Sequence, residues 1–285
     1  MTRPGPKLLA VDLDGTLLGT TGRPHDRDVR ALRAAVAAGV RVSIVTGRLY
    51  SGSREFVELL GLHGPMACAD GSHIVRARDH ETLLHVGVRG AEARTLRDAF
   101  ERATVATFVF ARDSVGHDVS GVPFLDYVTT WSNDVRAAAD VYRHDLWDAE
   151  DGVTAVVAVG TREQITGVVR ELEQHLPTAV MVAAFAMRRG IHAGRWAMIV
   201  RGSGCTKGTA IRWIAAHEGV PLEETVCVGD WINDVPMFEV AGRSFVMGQA
   251  PDEVKARATD VMEHTHEAGG GVAHALREAF GVDVG

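Results

Sequence analysis

The stretch LLAVDLDGT, residues 8–16, decides the fold. It begins with Leu8–Val11, a continuous apolar run typical of a strand that is buried on both faces. Asp12 and Asp14 follow this run at once. Because the ligands of an open parallel sheet bind at the carboxyl ends of its strands, we expect both carboxylates to lie where the chemistry occurs. The same residues also suit an ordinary turn, since Asp and Gly favour turns for conformational reasons.

Short apolar runs alternate with helical patterns toward both ends of the chain. Strands are predicted at 40–45, 66–69, 198–200, 225–228, 245–247 and 260–262, and helices over 26–39, 53–60, 207–217 and 272–280. Strands that alternate with helices indicate βαβ units and therefore a parallel sheet.

The middle of the chain, residues 86–194, has a different pattern. It carries three longer β-rich runs, at 105–110, 153–159 and 180–185, and one helix capping box, at 161–164. We therefore expect an α/β protein whose core is a Rossmann-like doubly wound parallel sheet formed by residues 1–85 and 195–285. An inserted α+β domain of residues 86–194 interrupts this core.

Length and charge restrict the kinds of partner. The chain has 285 residues, which at roughly 150 residues per domain means about two domains. It carries 30 Lys and Arg against 37 Asp and Glu, a net charge of −7. This balance argues against nucleic acid, because polyanion binders usually carry a basic surface, but it is compatible with a small phosphorylated ligand. No pattern in the sequence indicates an oligomeric state.

The three cysteines, Cys68, Cys205 and Cys227, contain no CxxC spacing. They indicate neither a disulfide framework nor a zinc finger and favour a reducing cytoplasm. No stretch approaches the ~18 apolar residues of a membrane span, and the first residues lack a signal-peptide pattern. We therefore predict a cytoplasmic protein without a membrane partner.

A second acidic segment, GDWIND at residues 229–234, follows the predicted strand 225–228. It supplies two more carboxylates and an amide, and oxygen ligands of this kind are what Mg²⁺ requires. An alternative interpretation makes Asp234 the N-cap of a helix that begins at Val235, with Pro236 in its first turn.

Two further pieces carry groups that suit a phosphate. TGR at residues 46–48 closes a predicted strand, and Lys207 begins a predicted helix. A hydroxyl, backbone amides and an ammonium at strand ends and helix starts would hold a phosphoryl group. Taken singly, Thr46 would be a turn residue and Lys207 a solvated helix residue.

In this order and at these strand ends, the segments resemble the haloacid dehalogenase superfamily of phosphohydrolases. The similarity is greatest to its Cof-type branch with a class IIB cap, in which a cap domain is inserted between the second and third motifs. VMGQAPDEV at 246–254 and Gly271-Val272 also resemble late segments of that branch. The resemblance implies a Mg²⁺-dependent phosphatase of a small phosphorylated metabolite, a sugar phosphate or a related phosphomonoester.

The resemblance also implies roles for the acidic residues. Asp12 would be the nucleophile that forms an aspartyl phosphate, and Asp14 would protonate the leaving oxygen and then activate water. Mg²⁺ would be held by Asp12, the backbone carbonyl of Asp14 and Asp230, while Asn233 and Asp234 would support its waters and the lysine. Contacts to the phosphoryl group would come from Leu13, Gly15, Thr46, Gly47, Arg48, Lys207 and Asn233.

Some positions depart from the pattern of the branch. Asp70-Gly71 stands where Asn-Gly is usual, and Gln249 stands where Asn is usual. These three residues are therefore only secondary candidates, for contacts in the phosphate pocket or to the residues that support the site. Arg188-Arg189, the only adjacent basic pair of the insert, would bind a second anionic group of the substrate or lie in a solvated loop.

Two local patterns point elsewhere. GSGCTKGT at 202–209 resembles a nucleotide P-loop, but Thr206 precedes Lys207 and Gly208 follows it, whereas a P-loop needs Gly before and Ser or Thr after. His264-Thr-His266 would be a metal pair or, without further ligands nearby, ordinary surface. A phosphomutase with the same two aspartates and a non-catalytic ligand-binding relative are the alternative functions.

Overall fold

The structure, a computed structural model, describes residues 7–187 and 191–282. Its strands are β1 (Leu8–Val11), β2 (Arg41–Ile44), β3 (Pro65–Cys68), β4 (His73–Arg76), β5 (Glu81–His85), β6 (Ala106–Ala111), β7 (Ser114–His117), β8 (Val135–Ala137), β9 (Ala155–Gly160), β10 (Val180–Ala186), β11 (Trp196–Gly202), β12 (Thr225–Gly229), β13 (Arg243–Val246) and β14 (Asp260–Val261). Its helices are α1 (Asp26–Ala37), α2 (Arg54–Leu60), α3 (Gly90–Ala103), α4 (Leu125–Val128), α5 (Arg162–His175), α6 (Lys207–His217), α7 (Val235–Phe238), α8 (Asp252–Lys255) and α9 (Gly271–Phe280).

The chain forms two compact units. The first unit contains Met1–Gly47, Arg54–Leu83 and Thr206–Gly285, and the second contains Arg48–Ser53 and Leu84–Cys205. Among the described residues, no helix is both long and apolar enough to cross a membrane.

A five-stranded parallel sheet is the centre of the first unit. Its strand order is β14-β13-β12-β1-β2, and every neighbouring pair is parallel. All four residues of β1 are buried, as expected for an interior strand that packs on both faces. Helices α1 and α9 pack against each other, and α1 contacts β2 while α9 contacts β12. The predicted α/β class and parallel sheet are confirmed.

The predicted strand at 66–69 lies outside that sheet. It forms β3, which pairs antiparallel with β4 in a separate three-stranded sheet of order β3-β4-β5. The chain reverses through a short 3₁₀ turn at Ala69–Gly71 and returns at once as β4. One parallel bridge, Val45 to Ala67, links this small sheet to the end of β2.

A six-stranded sheet is the centre of the second unit, with strand order β10-β11-β9-β6-β7-β8. Its pairs are antiparallel apart from the parallel pair of β7 and β8. Helices α3 and α5 pack together and contribute Leu96, Phe100, Ile165 and Leu172 to a core with inward residues of the sheet. Thr161 caps α5, and it exchanges hydrogen bonds with Gln164 as the capping-box pattern predicts.

The structure corrects the position of one predicted core strand. Residues 198–200 belong to β11, which pairs antiparallel with β9 and β10 in the second unit. Its apolar residues are buried because β11 is an interior strand, and burial gives the same sequence pattern in either type of sheet. The chain therefore returns to the first unit at Thr206, whereas the sequence placed the return at 195.

The second unit also includes a segment that the sequence assigned to the core, Arg48–Ser53. Backbone N–H of Leu49 donates to the carbonyl of Trp131 at 2.8 Å, and backbone N–H of Ser51 donates to Asp113 Oδ1 at 3.0 Å. Asn133 Nδ2 donates in turn to the carbonyl of Ser51 at 2.9 Å. These bonds between residues far apart in sequence hold the segment in the second unit.

Candidate active site

Two neighbouring parallel strands carry the acidic residues. β1 pairs with β12, and Val11 lies opposite Val228. Asp12 follows β1, and its backbone N–H donates to the carbonyl of Val228 at 3.0 Å, while Asp230 follows β12 directly. Because the two strands run in parallel, their carboxyl ends bring Asp12 and Asp230 to the same edge of the sheet.

Lys207 at the start of α6 is almost fully buried, with 1% of its surface exposed. Its Nζ donates to Asp12 Oδ1 at 2.5 Å and to Asp234 Oδ1 at 2.6 Å. A buried ammonium requires such compensation, since an unpaired charge is very unfavourable in a protein interior. Burial alone would lower the pKa of Lys207, but the charges of Asp12 and Asp234 outweigh it and raise that pKa. The alternative of a solvated helix lysine is therefore wrong.

Asp234 organises the loop after β12 and is fully buried. Its Oδ2 accepts the backbone N–H groups of Asp230 at 2.8 Å and Trp231 at 2.9 Å. A side chain at Gly229 would collide with this carboxylate, because its Cβ would lie 2.6 Å from Asp234 Oδ2. Asp234 occupies the N-cap position of α7, with Pro236 in the first turn as the alternative interpretation predicted, but its side chain makes no capping bond to that helix.

Three carboxylates, those of Asp12, Asp230 and Asp234, each present an oxygen within 4.8 Å of the others. Burial raises the pKa of Asp12 well above its ordinary value despite the lysine contact. Burial and the charge of Asp234 raise the pKa of Asp230 to about 7. A divalent cation among these oxygens would relieve the repulsion, and an all-oxygen set suits a hard cation such as Mg²⁺. The residues present therefore fit a metal ion.

The turn after β1 packs directly on the carboxylate of Asp230. Gly15 has φ +80°, and a Cβ on it would come within 2.3 Å of Asp230 Oδ2. Thr16 is buried, and its Oγ1 donates to Asp230 Oδ1 at 3.4 Å. Leu13 is fully buried and Asp14 is exposed. The sequence did not single out Thr16, although it lies in the deciding segment.

The predicted phosphate-binding residues are only partly brought together. Thr46 lies beyond the end of β2 and is fully buried. Its backbone carbonyl accepts a hydrogen bond from the backbone N–H of Asp70 at 2.9 Å. Gly47 follows it, and a Cβ there would lie 3.4 Å from Asp70 Oδ1. Arg48 belongs to the second unit, where its Nη1 donates to the carbonyl of Gly52 at 3.2 Å. Arg188 and Arg189 lie outside the described residues.

Asp70, a secondary candidate, is close to the site. It is buried in a left-handed backbone conformation, φ 50°, and its Oδ1 accepts from Asn233 Nδ2 at 2.9 Å. Its charge also contributes to the raised pKa of Lys207. Gly71 allows the start of α6 to approach, since a Cβ on it would lie 2.8 Å from the carbonyl of Thr206.

The possible metal pair His264 and His266 does not join a larger ligand group. Within residues 7–187 and 191–282, the carboxylates of Asp12, Asp230 and Asp234 are the one group of three or more acidic, histidine or cysteine side chains with this spacing. The candidate metal site is therefore the acidic one.

The buried lysine contacts two of the three clustered carboxylates at the carboxyl ends of parallel strands, an arrangement compatible with the positioning and charge that phosphoryl transfer requires. The model of the haloacid dehalogenase-like hydrolases matches residues 9–276. The chain belongs to this family, as the sequence motifs predicted.

Comparisons with individual proteins agree. The phosphatase YwpJ of Bacillus subtilis is 24% identical over 294 residues, which cover 95% of this chain and 99% of YwpJ. The pyridoxal phosphate phosphatase YbhA of Escherichia coli is 27% identical over 271 residues, with 90% and 93% covered. The enzyme class, a haloacid dehalogenase-type phosphatase, is thereby confirmed.

Solved structures share the fold. A haloacid dehalogenase-like hydrolase from Bacteroides thetaiotaomicron superposes with a TM-score of 0.82 at 22% identity, covering 96% of this chain and 100% of that one. The subclass IIB sugar phosphatase BT4131 superposes with a TM-score of 0.76 at 24% identity, covering 97% and 99%. The predicted fold, a parallel-sheet core with an inserted α+β domain, is the fold of these proteins.

Proposed function

We propose that this protein hydrolyses the phosphomonoester of a small metabolite, a sugar phosphate or a related compound, with Mg²⁺ and through an aspartyl phosphate on Asp12. The observation that carries the proposal is the buried Lys207, which contacts both Asp12 and Asp234 beside Asp230. This arrangement offers a nucleophile, a fixed positive charge and metal ligands at one point.

The reaction would take place in two steps. A carboxylate oxygen of Asp12 attacks phosphorus, the bond from phosphorus to the leaving oxygen breaks, and Asp14 gives that oxygen its proton. Asp14 then takes a proton from water, whose oxygen attacks phosphorus; the bond from phosphorus to the Asp12 oxygen breaks, which releases inorganic phosphate and restores the Asp12 carboxylate. Lys207 and Thr46 hold the phosphoryl oxygens during both steps, and dividing the displacement in this way lowers the barrier of each.

Asp12, Asp230 and the backbone carbonyl of Asp14 would hold Mg²⁺. Asp234 and Asn233 would position these metal ligands. Asp234 accepts the backbone N–H of Asp230 and so fixes the loop after β12, and Asn233 donates to Asp70. When bound, the ion supplies positive charge that offsets the charge on the carboxylates and the phosphoryl oxygens.

The names of the relatives support a small phosphorylated substrate without identifying it. They include phosphatases of pyridoxal phosphate, of 5-amino-6-(5-phospho-D-ribitylamino)uracil and of HMP-PP. We infer that the second unit acts as a cap that selects the leaving group. We also propose a cytoplasmic location without a nucleic-acid or membrane partner, in agreement with a sequence that has only three cysteines and no CxxC spacing.

A panel of phosphorylated metabolites tests the proposal. Phosphate release is measured with and without Mg²⁺, and Asp12→Asn is the control for contaminating activity. Release that requires both Mg²⁺ and Asp12 supports the proposal. An isomerised sugar phosphate without net release would instead identify a phosphomutase, and a panel without any turnover would favour a non-catalytic relative.

A further inference from the structure

Gln249 joins three separate segments of the first unit. Its Nε2 donates to the carbonyl of Gly15 at 2.6 Å and reaches Asp230 Oδ2 at 3.4 Å. Its Oε1 accepts the backbone N–H of His266 at 3.2 Å. One side-chain amide therefore bonds the turn after the nucleophile, the second acidic loop and the segment that leads to α9.

The segment at His266 is itself fixed, so it can hold the amide. The carbonyl of His266 accepts from His25 Nε2, 3.0 Å away, and His25 immediately precedes α1. Gly269 passes close to this ring, because a Cβ there would lie 2.3 Å from His25 Cγ. Since Oε1 of Gln249 must face a backbone N–H, its NH₂ group must face the two acceptors at the acidic site.

These bonds hold the carboxylate of Asp230 from both sides. Thr16 donates to Oδ1 and Gln249 approaches Oδ2, while the backbone of Gly15 packs against the same carboxylate. Hydrogen bonds from Gln249 and Thr16 also lower the pKa of Asp230 against the larger effect of burial. Both oxygens of the Asp230 carboxylate are therefore approached by neutral donors, Thr16 at Oδ1 and Gln249 at Oδ2.

We propose that Gln249 is a positioning residue that sets Asp230 and the turn at Gly15, directly after Asp14, in the geometry needed to bind a divalent cation. This inference rests on the proposed Mg²⁺ site. It assigns Gln249 to the metal side of the site, whereas the sequence made it only a secondary candidate. These two bonds, to Gly15 and to His266, use both ends of the Gln249 amide.

The test compares Gln249→Met with the wild-type protein and with Gln174→Met, a matched change at an exposed position on α5. Mg²⁺ binding to the metal-free protein is measured by calorimetry, and unfolding temperature and phosphate release are measured in parallel. We expect the Mg²⁺ dissociation constant of Gln249→Met to rise about 10-fold to 100-fold, the usual effect of losing a partner of a metal ligand. We expect kcat to recover largely at saturating Mg²⁺ and Gln174→Met to match the wild type.

The outcomes separate the inference from the function on which it rests. An unchanged Mg²⁺ dissociation constant in folded Gln249→Met overturns the positioning role while leaving the phosphatase proposal intact. A kcat that stays low at every Mg²⁺ concentration, with a lowered unfolding temperature, also overturns it in favour of a structural role. Failure of the wild type to bind Mg²⁺ defeats the metal site and this inference together. If Gln249→Met unfolds, Gln249→Asn keeps an amide and carries the same test.

Discussion

Replacing Lys207 with Met should destabilise the protein in a way that depends on pH. Met has a similar length and stays apolar, so the change removes the charge with little change of volume. Asp12 and Asp234 then lose the ammonium that lies 2.5 Å and 2.6 Å from them and become two buried carboxylates without a cation. Leaving buried charges unpaired costs about 3–5 kcal/mol.

Proton uptake limits this cost and gives it a pH dependence. One carboxylate can accept a proton in the folded variant, so its folded pKa lies above the unfolded value of ~3.9. Neutralising it costs about 1.36 kcal/mol per pH unit above that value, or about 5 kcal/mol at pH 7.5 and about 2 kcal/mol at pH 5.5. Because the folded variant binds the extra proton, its stability rises as the pH falls.

Urea unfolding in EDTA at these two pH values measures the difference. Lys255→Met is the control, since the ion pair of Lys255 with Asp252 is 4.0 Å long and involves an exposed carboxylate, and such pairs contribute about 0–1 kcal/mol. A loss for Lys207→Met that stays within about 1 kcal/mol of the control at pH 7.5 would refute the reasoning. So would a loss that grows toward pH 5.5.

Other changes probe the same site and its scaffold. Burial holds the pKa of Asp230 at about 7, above the unfolded value of ~3.9, so the metal-free wild type should lose stability as the pH rises from about 4 to about 7. Asp230→Asn should remove that loss, which denaturation at pH 5 and pH 8 will detect. Gly15→Ala should lower the free energy of unfolding by more than the about 1–3 kcal/mol of backbone strain, because the new Cβ also collides with Asp230. Gly22→Ala is the control in urea unfolding, since Gly22 has φ +70° but open space around it and should show the strain alone. Asp12→Asn should lower phosphate release by at least about 10³-fold while leaving the fold intact by circular dichroism. Thr161→Ala should cost about 1 kcal/mol in thermal unfolding without changing kcat, since it removes only a helix cap.

The sequence predicted the acidic site well because the site depends on local order. A buried run followed by two aspartates specifies a central parallel strand, and the ends of parallel neighbours must meet. Asp12 and Asp230 therefore come together from chain positions 218 residues apart without any knowledge of side-chain contacts. Lys207 followed from the motif order, but its burial did not, since nothing local distinguishes it from a solvated helix lysine.

The sequence failed to predict features that depend on which distant residue a buried residue contacts, because a local pattern indicates burial but not the contacting residue. β11 is apolar because it is an interior strand, and only its pairing with β9 and β10 assigns it to the second unit. Thr16 and Gln249 act through hydrogen bonds to residues more than 200 positions away, which no local pattern contains. Arg48 follows Thr46-Gly47 in sequence, and only bonds such as that of Ser51 with Asp113 assign the segment Arg48–Ser53 to the second unit.

The assignment of Arg48–Ser53 to the second unit has a consequence for protein engineering. If only residues 84–205 were deleted, Leu49 and Ser51 would lose their hydrogen-bond partners, because Trp131 and Asp113 lie in the deleted part. The second unit is thus formed by two pieces that are separate in the sequence. Chimaeras with a relative should therefore exchange both pieces of the second unit together.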